Sequence, residues 1–263
     1  MLIEWTDQIS NSSQLKAIDR AAMFGDGFFT TGVIKSGKLL HKDYHLKRIE
    51  LSAKRLQFHH VELKTISDHI ETACIKQPNS IIRINFTRLQ TQRGYAIDKD
   101  SVIKVSFILS PGPARTSEFY TLIDSIVPIS SNPLLAGLKH LNRLDSVLAA
   151  SQLTDNNSEA LMYHQDFLVC GSKSNVFLYI DGLWHTPKLS HAGVAGIMRQ
   201  SVLDGMEKNN QLYRITDIKR SHLVKVKSAF ITNCVIGFQI VNRINETLID
   251  TELSHKLKQQ LSL

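Results

Sequence analysis

The stretch AGLKHLNRL at residues 136–144 places one lysine in an unusual setting. Residues 133–138 are small and apolar, and the spacing that follows predicts a helix beginning near Lys139. A lysine there would lie at the positive end of a helix dipole and directly after an apolar segment, and both disfavour its charged form. A partly neutral amine is a nucleophile that can form a Schiff base with a carbonyl cofactor. An exposed surface lysine is the competing interpretation, because the chain has 31 Lys and Arg residues.

The composition indicates a soluble globular protein of one or two domains, with 43% hydrophobic and 21% charged residues in 263. No apolar run approaches the roughly 18 residues that span a bilayer, and the N-terminus lacks a signal-peptide pattern, so we expect a cytoplasmic protein without a membrane partner. Three widely spaced cysteines favour reduced thiols over disulfides or a structural metal. The net charge of +7 is spread without a nucleic-acid-binding motif, so we expect anionic small ligands and no nucleic acid.

Hydrophobic periodicity predicts an α/β chain with mixed α+β character. Helices are predicted at residues 43–56, 63–76, 196–208 and 251–261, strands at 80–87 and 101–109, and hairpins at Ser36-Gly37, 164–166 and Asp181-Gly182. A segment rich in proline and polar residues separates a smaller N-terminal domain, residues 1–112, from a larger C-terminal domain, residues 120–263. Residues 113–119 are the predicted linker.

Four separated motifs span nearly the whole chain. They are DR at 19–20 with FGDGFFTT at 24–31, HLKRI at 45–49, AGLKHLNRL at 136–144, and GVAGIMR at 193–199. In this order and spacing the chain resembles the fold-type IV pyridoxal 5′-phosphate (PLP) enzymes, which are D-amino-acid aminotransferase-like, and among them the bacterial aminodeoxychorismate lyases. The resemblance implies a homodimer of two-domain chains with PLP in the interdomain cleft and a cofactor-binding C-terminal domain.

The resemblance also implies the cofactor ligands. Lys139 is the lysine that forms the Schiff base with PLP, and Arg48 matches the arginine that binds its phosphate, although alone it would be interpreted as an exposed helical arginine. A guanidinium suits bidentate contact with a phosphate. The loop and helix start at 196–198 and the strand end near 233 supply further phosphate contacts, although Asn233 is also typical of a turn. The residues assigned in these two places are Gly196, Ile197, Met198, Asn233 and Cys234.

One position departs from the family pattern. The family has a glutamate five residues before an Asn-x-Phe signature, and this acid keeps the pyridine nitrogen protonated. The signature is intact at residues 175–177, but the fifth residue before it is Cys170. A thiol is mostly uncharged near pH 7 and hydrogen-bonds weakly. Cys170 is therefore expected to contact the nitrogen but to stabilise a positively charged ring less than a carboxylate does. This change disfavours a transaminase more than an elimination that ends in an aromatic product.

On the substrate side, the resemblance implies a small dicarboxylate. The family's substrate loop corresponds to RLQTQRGY at 88–95, where Arg88 and Arg93 are candidate carboxylate ligands and Tyr95 ends the loop. Relatives have glycines at several positions that this chain fills with larger residues. Thr30 offers a hydroxyl, with a plain strand residue as the alternative, and Asn142 lies close to Lys139 in sequence.

The resulting hypothesis is a PLP-dependent lyase that converts 4-amino-4-deoxychorismate to 4-aminobenzoate and pyruvate in folate biosynthesis. In it Lys139 first acts as base and then as proton donor. Two alternatives remain open. One is a fold-type IV aminotransferase for D- or branched-chain amino acids, and the other is a PLP-binding paralogue with little activity because Cys170 replaces the glutamate.

Overall fold

A computed structural model describes residues 2–7, 20–89, 94–97, 101–112 and 117–263, and every element below lies in these ranges. The chain divides into two compact units. The first comprises Met1–Ala114 and Lys139–Asn142, and the second comprises Arg115–Leu138 and Arg143–Leu263. Four of the seven predicted linker residues, 113–116, lie outside the described ranges. Both units mix helices and strands, as the sequence predicts.

The first unit is a sheet flanked by helices. Its strands are β1 (Leu2–Asp7), β2 (Gly27–Lys35), β3 (Lys38–Leu39), β4 (Ser80–Arg88) and β5 (Ile103–Pro111), and its helices are α1 (Arg20–Phe24), α2 (Lys42–Arg55) and α3 (Leu63–Lys76). The strand order is β1-β5-β4-β2-β3. Among the described strands of this sheet, only the β1–β5 pair is parallel. Alternate residues of β4 and β5 are buried with the apolar faces of α2 and α3. The predicted helices 43–56 and 63–76 are confirmed.

The turn between β2 and β3 follows from its sequence. Ser36 and Gly37 both have positive φ, at 49° and 73°. Two such residues form the tight turn whose twist matches a β-hairpin, and glycine adopts this conformation without steric cost. The hairpin predicted at this place is therefore confirmed, and it fixes the register of β2.

The segment Lys139–Asn142 is extended, so the helix start predicted at Lys139 is wrong. Phe29 N donates to Lys139 O at 2.9 Å, Leu141 N donates to Gly27 O at 3.0 Å, and His140 bridges to Phe28. These bonds make the segment a short edge partner of β2. The helix that follows, α4, spans Leu144–Ala150. Pairing with a distant strand, invisible to local periodicity, overrides the helical spacing.

The second unit contains a long, mostly antiparallel sheet. Its strands are β6 (Phe119–Asp124), β7 (Ser158–His164), β8 (Phe167–Gly171), β9 (Asn175–Ile180), β10 (Leu183–Pro187), β11 (Tyr213–Thr216), β12 (Ile218–Lys219), β13 (Ser228–Asn233), β14 (Gly237–Ile244) and β15 (Thr247–Leu248). Their order is β11-β10-β9-β13-β14-β6-β7-β8-β12, and β15 pairs with β14. Besides α4, the unit has α5 (Ile197–Lys208), α6 (Glu252–Gln260) and a 3₁₀ helix at Arg220–Lys225.

Helix α5 packs its apolar side on the sheet. Val202, Leu203 and Met206 are buried against Phe177 and Phe230, whose rings stack at 4.6 Å. This packing fixes the start of α5 beside the ends of β9 and β13. The helices predicted at 196–208 and 251–261 are confirmed within one residue at each end. In the described ranges, no helix combines the length and apolarity needed to cross a membrane.

Candidate active site

The start of α5 presents backbone donors. Gly196 precedes the helix in an extended conformation, and no side chain from the described part of the chain caps it. The first intrahelical bond runs from Gln200 N to Gly196 O at 3.0 Å, so the N–H groups of Ile197 and Met198 have no acceptor within the helix. Both side chains are buried. What these two residues offer to a ligand is therefore backbone N–H at the positive end of a helix, which suits an anion.

Gly196 is held tightly by Asn175. A Cβ on Gly196 would overlap Asn175 Oδ1, and Asn175 Nδ2 donates to Val194 O at 2.9 Å. The amide of Asn175 thus fixes the loop that leads into α5. Only glycine leaves room for this arrangement. Asn175 was noted in the sequence as part of a signature and is a positioning residue for the helix start.

Thr232 adds an unpaired hydroxyl to the same region. It lies opposite Asn175 in the β9–β13 pair, its side chain is fully buried, and its Oγ1 has no hydrogen-bond partner among the described residues. A buried hydroxyl without a partner is costly unless a ligand or water satisfies it. Sequence analysis missed Thr232 as a site residue, and its position one residue before Asn233 was the only signal.

Asn233 shapes the turn that follows β13. Its Oδ1 accepts hydrogen bonds from Val235 N at 2.8 Å and Ile236 N at 2.9 Å, and its Nδ2 donates to Lys173 O at 3.2 Å. This is the turn-closing geometry named as the alternative in the sequence. Cys234 is half-buried within this turn. A phosphate ligand role for either residue stays a prediction.

Cys170 lies near the end of β8. It pairs with Met162 on β7 and is buried with Ala160 and Val169. A Cβ on Gly193 would lie 3.9 Å from its sulfur, so the GVAGIMR loop passes close by. Burial lowers the pKa of the Arg143 guanidinium. Among the nearby groups that oppose this shift, Cys170 has the largest effect. The thiol is thus near a cation of its own unit.

A glycine of the lysine motif binds the GVAGIMR loop. Gly137 N donates to Gly193 O at 3.0 Å, and Ala195 N donates to Gly137 O at 2.9 Å. Gly137 has a φ of 81°, which favours glycine. Two of the four sequence motifs are therefore joined by backbone hydrogen bonds in the second unit, two residues before Lys139.

Lys139 itself belongs to the first unit. Its side chain is half-buried, and Nζ lies 4.5 Å from the centroid of the Phe29 ring. An aromatic face attracts an ammonium group, so the ring provides a resting position for the charged amine. Because α4 begins at Leu144, the helix N-terminus expected at Lys139 lies five residues further along the chain. The amine is instead oriented by β2.

Helix α2 carries Arg48 and a histidine that sequence analysis did not assign. Arg48 is half-buried, one turn after His45. Thr30 Oγ1 and His45 Nδ1 are 2.6 Å apart, and both side chains are buried. Burial, then the charges of Arg48 and His41, lower the pKa of His45 to about 3, so its ring is neutral at pH 7. His45 Nε2 has no partner within the described ranges.

Arg88 points into the first unit. Its Nη1 donates to Asp26 Oδ1 at 2.6 Å, its Nη2 donates to Leu56 O, and its guanidinium covers the Phe58 ring at 3.9 Å. The other oxygen of Asp26 accepts from Arg20 Nε at 2.7 Å. These internal contacts occupy Arg88 and argue against the predicted role as a ligand of a substrate carboxylate.

The remaining predicted substrate residues differ in placement. Arg93 lies outside the described residues. Tyr95 is exposed, with its ring 5.0 Å from that of Phe24 and its carbonyl bound by Arg20 Nη2 at 3.1 Å. Asn142 Nδ2 donates to Gly25 O at 3.4 Å, where a Cβ on Gly25 would overlap its Oδ1. Asn142 is thus joined to the FGDGFFTT motif of its own unit.

Comparison with known proteins identifies the family. A family model described as amino-transferase class IV matches residues 27–244. The chain belongs to this family. The class IV amino-transferase fold of the chain superposes on the crystal structure of 4-amino-4-deoxychorismate lyase from Pseudomonas aeruginosa with a TM-score of 0.89, at 30% identity over 95% of each chain. Aminodeoxychorismate lyase of Vibrio harveyi is 28% identical over 92% of both sequences, and D-alanine aminotransferase of Listeria innocua is 23% identical over 89% of this chain and 84% of its own.

Class IV amino-transferases use PLP, and the start of α5 fits its phosphate. Backbone N–H groups without intrahelical acceptors, the close approach at Gly196 and the Thr232 hydroxyl, which has no partner among the described residues, lie in one unit and together suit an anion. Cys170, the residue predicted to contact the pyridine nitrogen, has a thiol where the family pattern expects a carboxylate, and this role stays a prediction. Among the described residues, no cluster of three or more acidic, histidine or cysteine side chains is suited to a metal ion.

Proposed function

We propose that the protein is a PLP-dependent lyase that converts 4-amino-4-deoxychorismate to 4-aminobenzoate and pyruvate. The likeness to the Pseudomonas lyase over nearly the full length of both chains carries this proposal. Cys170 supports it, because a weak partner at the pyridine nitrogen is less harmful to an elimination driven by aromatisation than to a transamination. In this assignment Arg48, Gly196, Ile197 and Met198 hold the phosphate, and Cys170 lies at the nitrogen.

Lys139 is the proposed catalytic residue. When bound, PLP supplies an aldehyde that bonds to primary amines and a ring that withdraws electrons from the neighbouring carbon. The ε-amine of Lys139 would hold the aldehyde, and the same amine, when free, would accept the proton from the ring carbon of the substrate that bears the amino group. The bond to the enolpyruvyl oxygen breaks as the substrate ring becomes aromatic. Lys139 returns a proton to the departing enolate, which becomes pyruvate.

The substrate side of the proposal keeps Thr30, Arg93, Tyr95 and Asn142 as candidates. Arg88 is better assigned to the interior of the first unit, because its guanidinium already binds Asp26 and Leu56 O. The dicarboxylate substrate then requires a cation other than Arg88. Replacing Arg93 by glutamine is expected to raise KM for 4-amino-4-deoxychorismate with little change in kcat, which a steady-state assay measures.

The test of the proposed function measures two products in one sample. Purified protein is incubated with PLP and 4-amino-4-deoxychorismate, 4-aminobenzoate is read by fluorescence, and pyruvate is read with lactate dehydrogenase. Equal amounts of both products are expected, together with no transfer of an amino group to a panel of keto acids. Lys139→Ala is expected to lose both the visible cofactor band and the products.

Two outcomes would replace the proposal. Amino-group transfer from D-alanine or a branched-chain amino acid, without 4-aminobenzoate, indicates an aminotransferase. The Listeria relative of this chain carries that name. A cofactor band with no product of either kind indicates a PLP-binding paralogue. In that case activity in Cys170→Glu would assign the loss to the missing carboxylate.

We also propose that the enzyme is a homodimer, as the resemblance implies, and that it is cytoplasmic, as the sequence analysis expects. Leu144, Val147 and Leu148 lie at i, i+3 and i+4 on α4 and are 68%, 60% and 48% exposed. Large apolar side chains that share one helix face are typical of a surface that packs on another protein. Sedimentation velocity is expected to give twice the chain mass, and Val147→Glu is expected to shift the population toward the monomer.

A further inference from the structure

Glu159 is a buried acid that the proposed mechanism does not use. It lies on β7 with no exposed surface, and its Oε1 accepts hydrogen bonds from Ser172 Oγ at 2.6 Å and Lys173 N at 3.2 Å. Its Oε2 has no partner among the described residues. Burial raises the pKa of the carboxyl, and the nearby hydroxyls of Ser172 and Ser174 and the charge of Lys173 lower it in part. Such a group is costly to bury, so its contacts require an explanation.

Both hydrogen bonds to Glu159 Oε1 come from one turn, residues 171–174, between β8 and β9. The turn is closed by Gly171 N donating to Ser174 O at 2.9 Å. A Cβ on Gly171 would overlap the hydroxyl of Ser174 and would lie 2.7 Å from the carboxyl carbon of Glu159. The carboxyl therefore packs directly against the turn, and the turn cannot move away from β7 without losing the bonds to Glu159.

This turn connects three residues of the cofactor site. Cys170 immediately precedes it, and Asn175, which fixes Gly196, immediately follows it. In addition, the carbonyl of Lys173 accepts the hydrogen bond from Asn233 Nδ2. One four-residue turn thus joins the group at the pyridine nitrogen to the residues on the phosphate side.

Glu159 does not replace the missing glutamate at the pyridine nitrogen. Cys170 pairs with Met162, and the side chains of a strand alternate between its two faces. Glu159 is three positions before Met162 and so lies on the opposite face of β7 from Cys170. An electrostatic contact with the ring is therefore not its role.

We propose that Glu159 is a positioning residue whose carboxyl fixes the 171–174 turn and, through it, sets Cys170, Asn175 and Asn233 for PLP. This inference rests on the cofactor assignment within the proposed function and adds a residue to it. The carboxyl acts through hydrogen bonds, so an amide of the same shape retains its acceptor oxygen and most of its effect.

The test measures PLP affinity rather than turnover. PLP is titrated into apo-protein and followed by the visible band and by protein fluorescence. Glu159→Ala is expected to weaken binding by about tenfold, the scale of one or two buried hydrogen bonds, and to change the position of the band. Glu159→Gln is expected to bind within about threefold of the unmodified protein. Ser172→Ala, which removes one donor, is expected to fall between them.

The matched control is Ser254→Ala. Ser254 is also fully buried in the second unit, where its hydroxyl donates to Ala229 O at 3.0 Å and lies 2.8 Å from that of Ser228, with no contact to the turn. It is expected to lower the unfolding temperature while PLP affinity and the band remain unchanged. Unchanged affinity in Glu159→Ala, or an equal loss in Ser254→Ala, overturns the proposal.

The design separates this inference from the proposed function. If the protein makes no 4-aminobenzoate but the affinities follow the expected order, the lyase assignment fails and the role of Glu159 stands. If 4-aminobenzoate is formed and Glu159→Ala binds PLP as tightly as the unmodified protein, the role of Glu159 fails and the lyase stands. A protein that binds no PLP overturns both.

Discussion

Two groups of buried polar residues, one in each unit, differ in whether their atoms have partners. In the first unit the arginine pair, Arg20 and Arg88, shares the carboxylate of Asp26 and binds main-chain carbonyls as well. In the second unit the start of α5 offers backbone N–H groups without intrahelical acceptors, beside the orphaned hydroxyl of Thr232. The satisfied group stabilises the fold. The unsatisfied group is where we propose that the cofactor binds, because buried polar groups generally have partners.

The largest expected effect comes from breaking the satisfied group. Asp26→Ala leaves two buried guanidinium groups without their carboxylate and is expected to destabilise the first unit by about 3–5 kcal/mol. Urea unfolding followed by fluorescence measures this loss. Lys42→Ala is the control, because it removes an exposed ion pair with Glu71 and is expected to cost less than about 1 kcal/mol. Similar losses in the two variants would contradict a structural role for the arginine pair.

His45 tests one exception in the first unit, since its Nε2 has no partner among the described residues. Its pKa is lowered to about 3 in the folded protein, whereas an unfolded histidine titrates near 6.5. Between these values the unfolded state takes up a proton that the folded state does not, so stability is lost as the pH falls through this window. From pH 6 to pH 4 the unmodified protein is expected to lose about 2–3 kcal/mol more than His45→Gln.

That pH dependence is measured as the free energy of unfolding in urea at several pH values. The other histidines titrate in both proteins and cancel in the difference. Parallel curves for the two proteins would show that His45 becomes protonated in the folded state, which requires a partner for Nε2.

Gly196→Ala tests the close approach in the second unit. The added methyl group overlaps Asn175 Oδ1, so the start of α5 is expected to shift and PLP affinity to fall by about tenfold or more. Gly205→Ala in the same helix is the control. There the nearest atom is Leu261 Cδ2 at 3.0 Å, the end of a flexible side chain, and affinity is expected to be retained. Equal affinities in both variants would remove the start of α5 from the cofactor site.

The smallest expected effect is that of Thr232→Val, which removes the orphaned hydroxyl while keeping the shape. PLP affinity is expected to fall by about fivefold, and the stability of the apo-protein is expected to stay equal or rise slightly, because a buried hydroxyl without a partner is lost. Titration and thermal unfolding of the same samples measure both. Lower stability with unchanged affinity would make Thr232 a residue of the fold alone.

Local signals in the sequence were sufficient for most elements of the fold. The apolar spacing of α2, α3 and α5 and the Ser36-Gly37 turn depend on neighbouring residues, and the predicted bounds were close to those observed. The segment at Lys139 was predicted wrongly because its hydrogen bonds go to β2, more than 100 residues earlier in the chain. Periodicity carries no information on such a partner.

The same reason limits prediction of the site. Motif spacing was sufficient to assign Cys170 and Gly196 as candidates, whereas the internal partners of Arg88 and Thr30 depend on residues that only the fold brings together. Glu159 was missed because it lies on a different strand from the turn that it holds. Its one local signal is an acid at the start of a strand in which the four following residues are buried.

The division of the chain into units has a consequence for fragment studies. Residues 1–114 contain every element of the first unit except Lys139–Asn142, the extended segment that covers one edge of β2. Expressed alone, this fragment would expose that edge, and an uncovered strand recruits other chains. A synthetic peptide containing residues 139–142 supplies the missing main-chain groups, so fragment complementation by such a peptide is expected to keep the N-terminal piece monomeric.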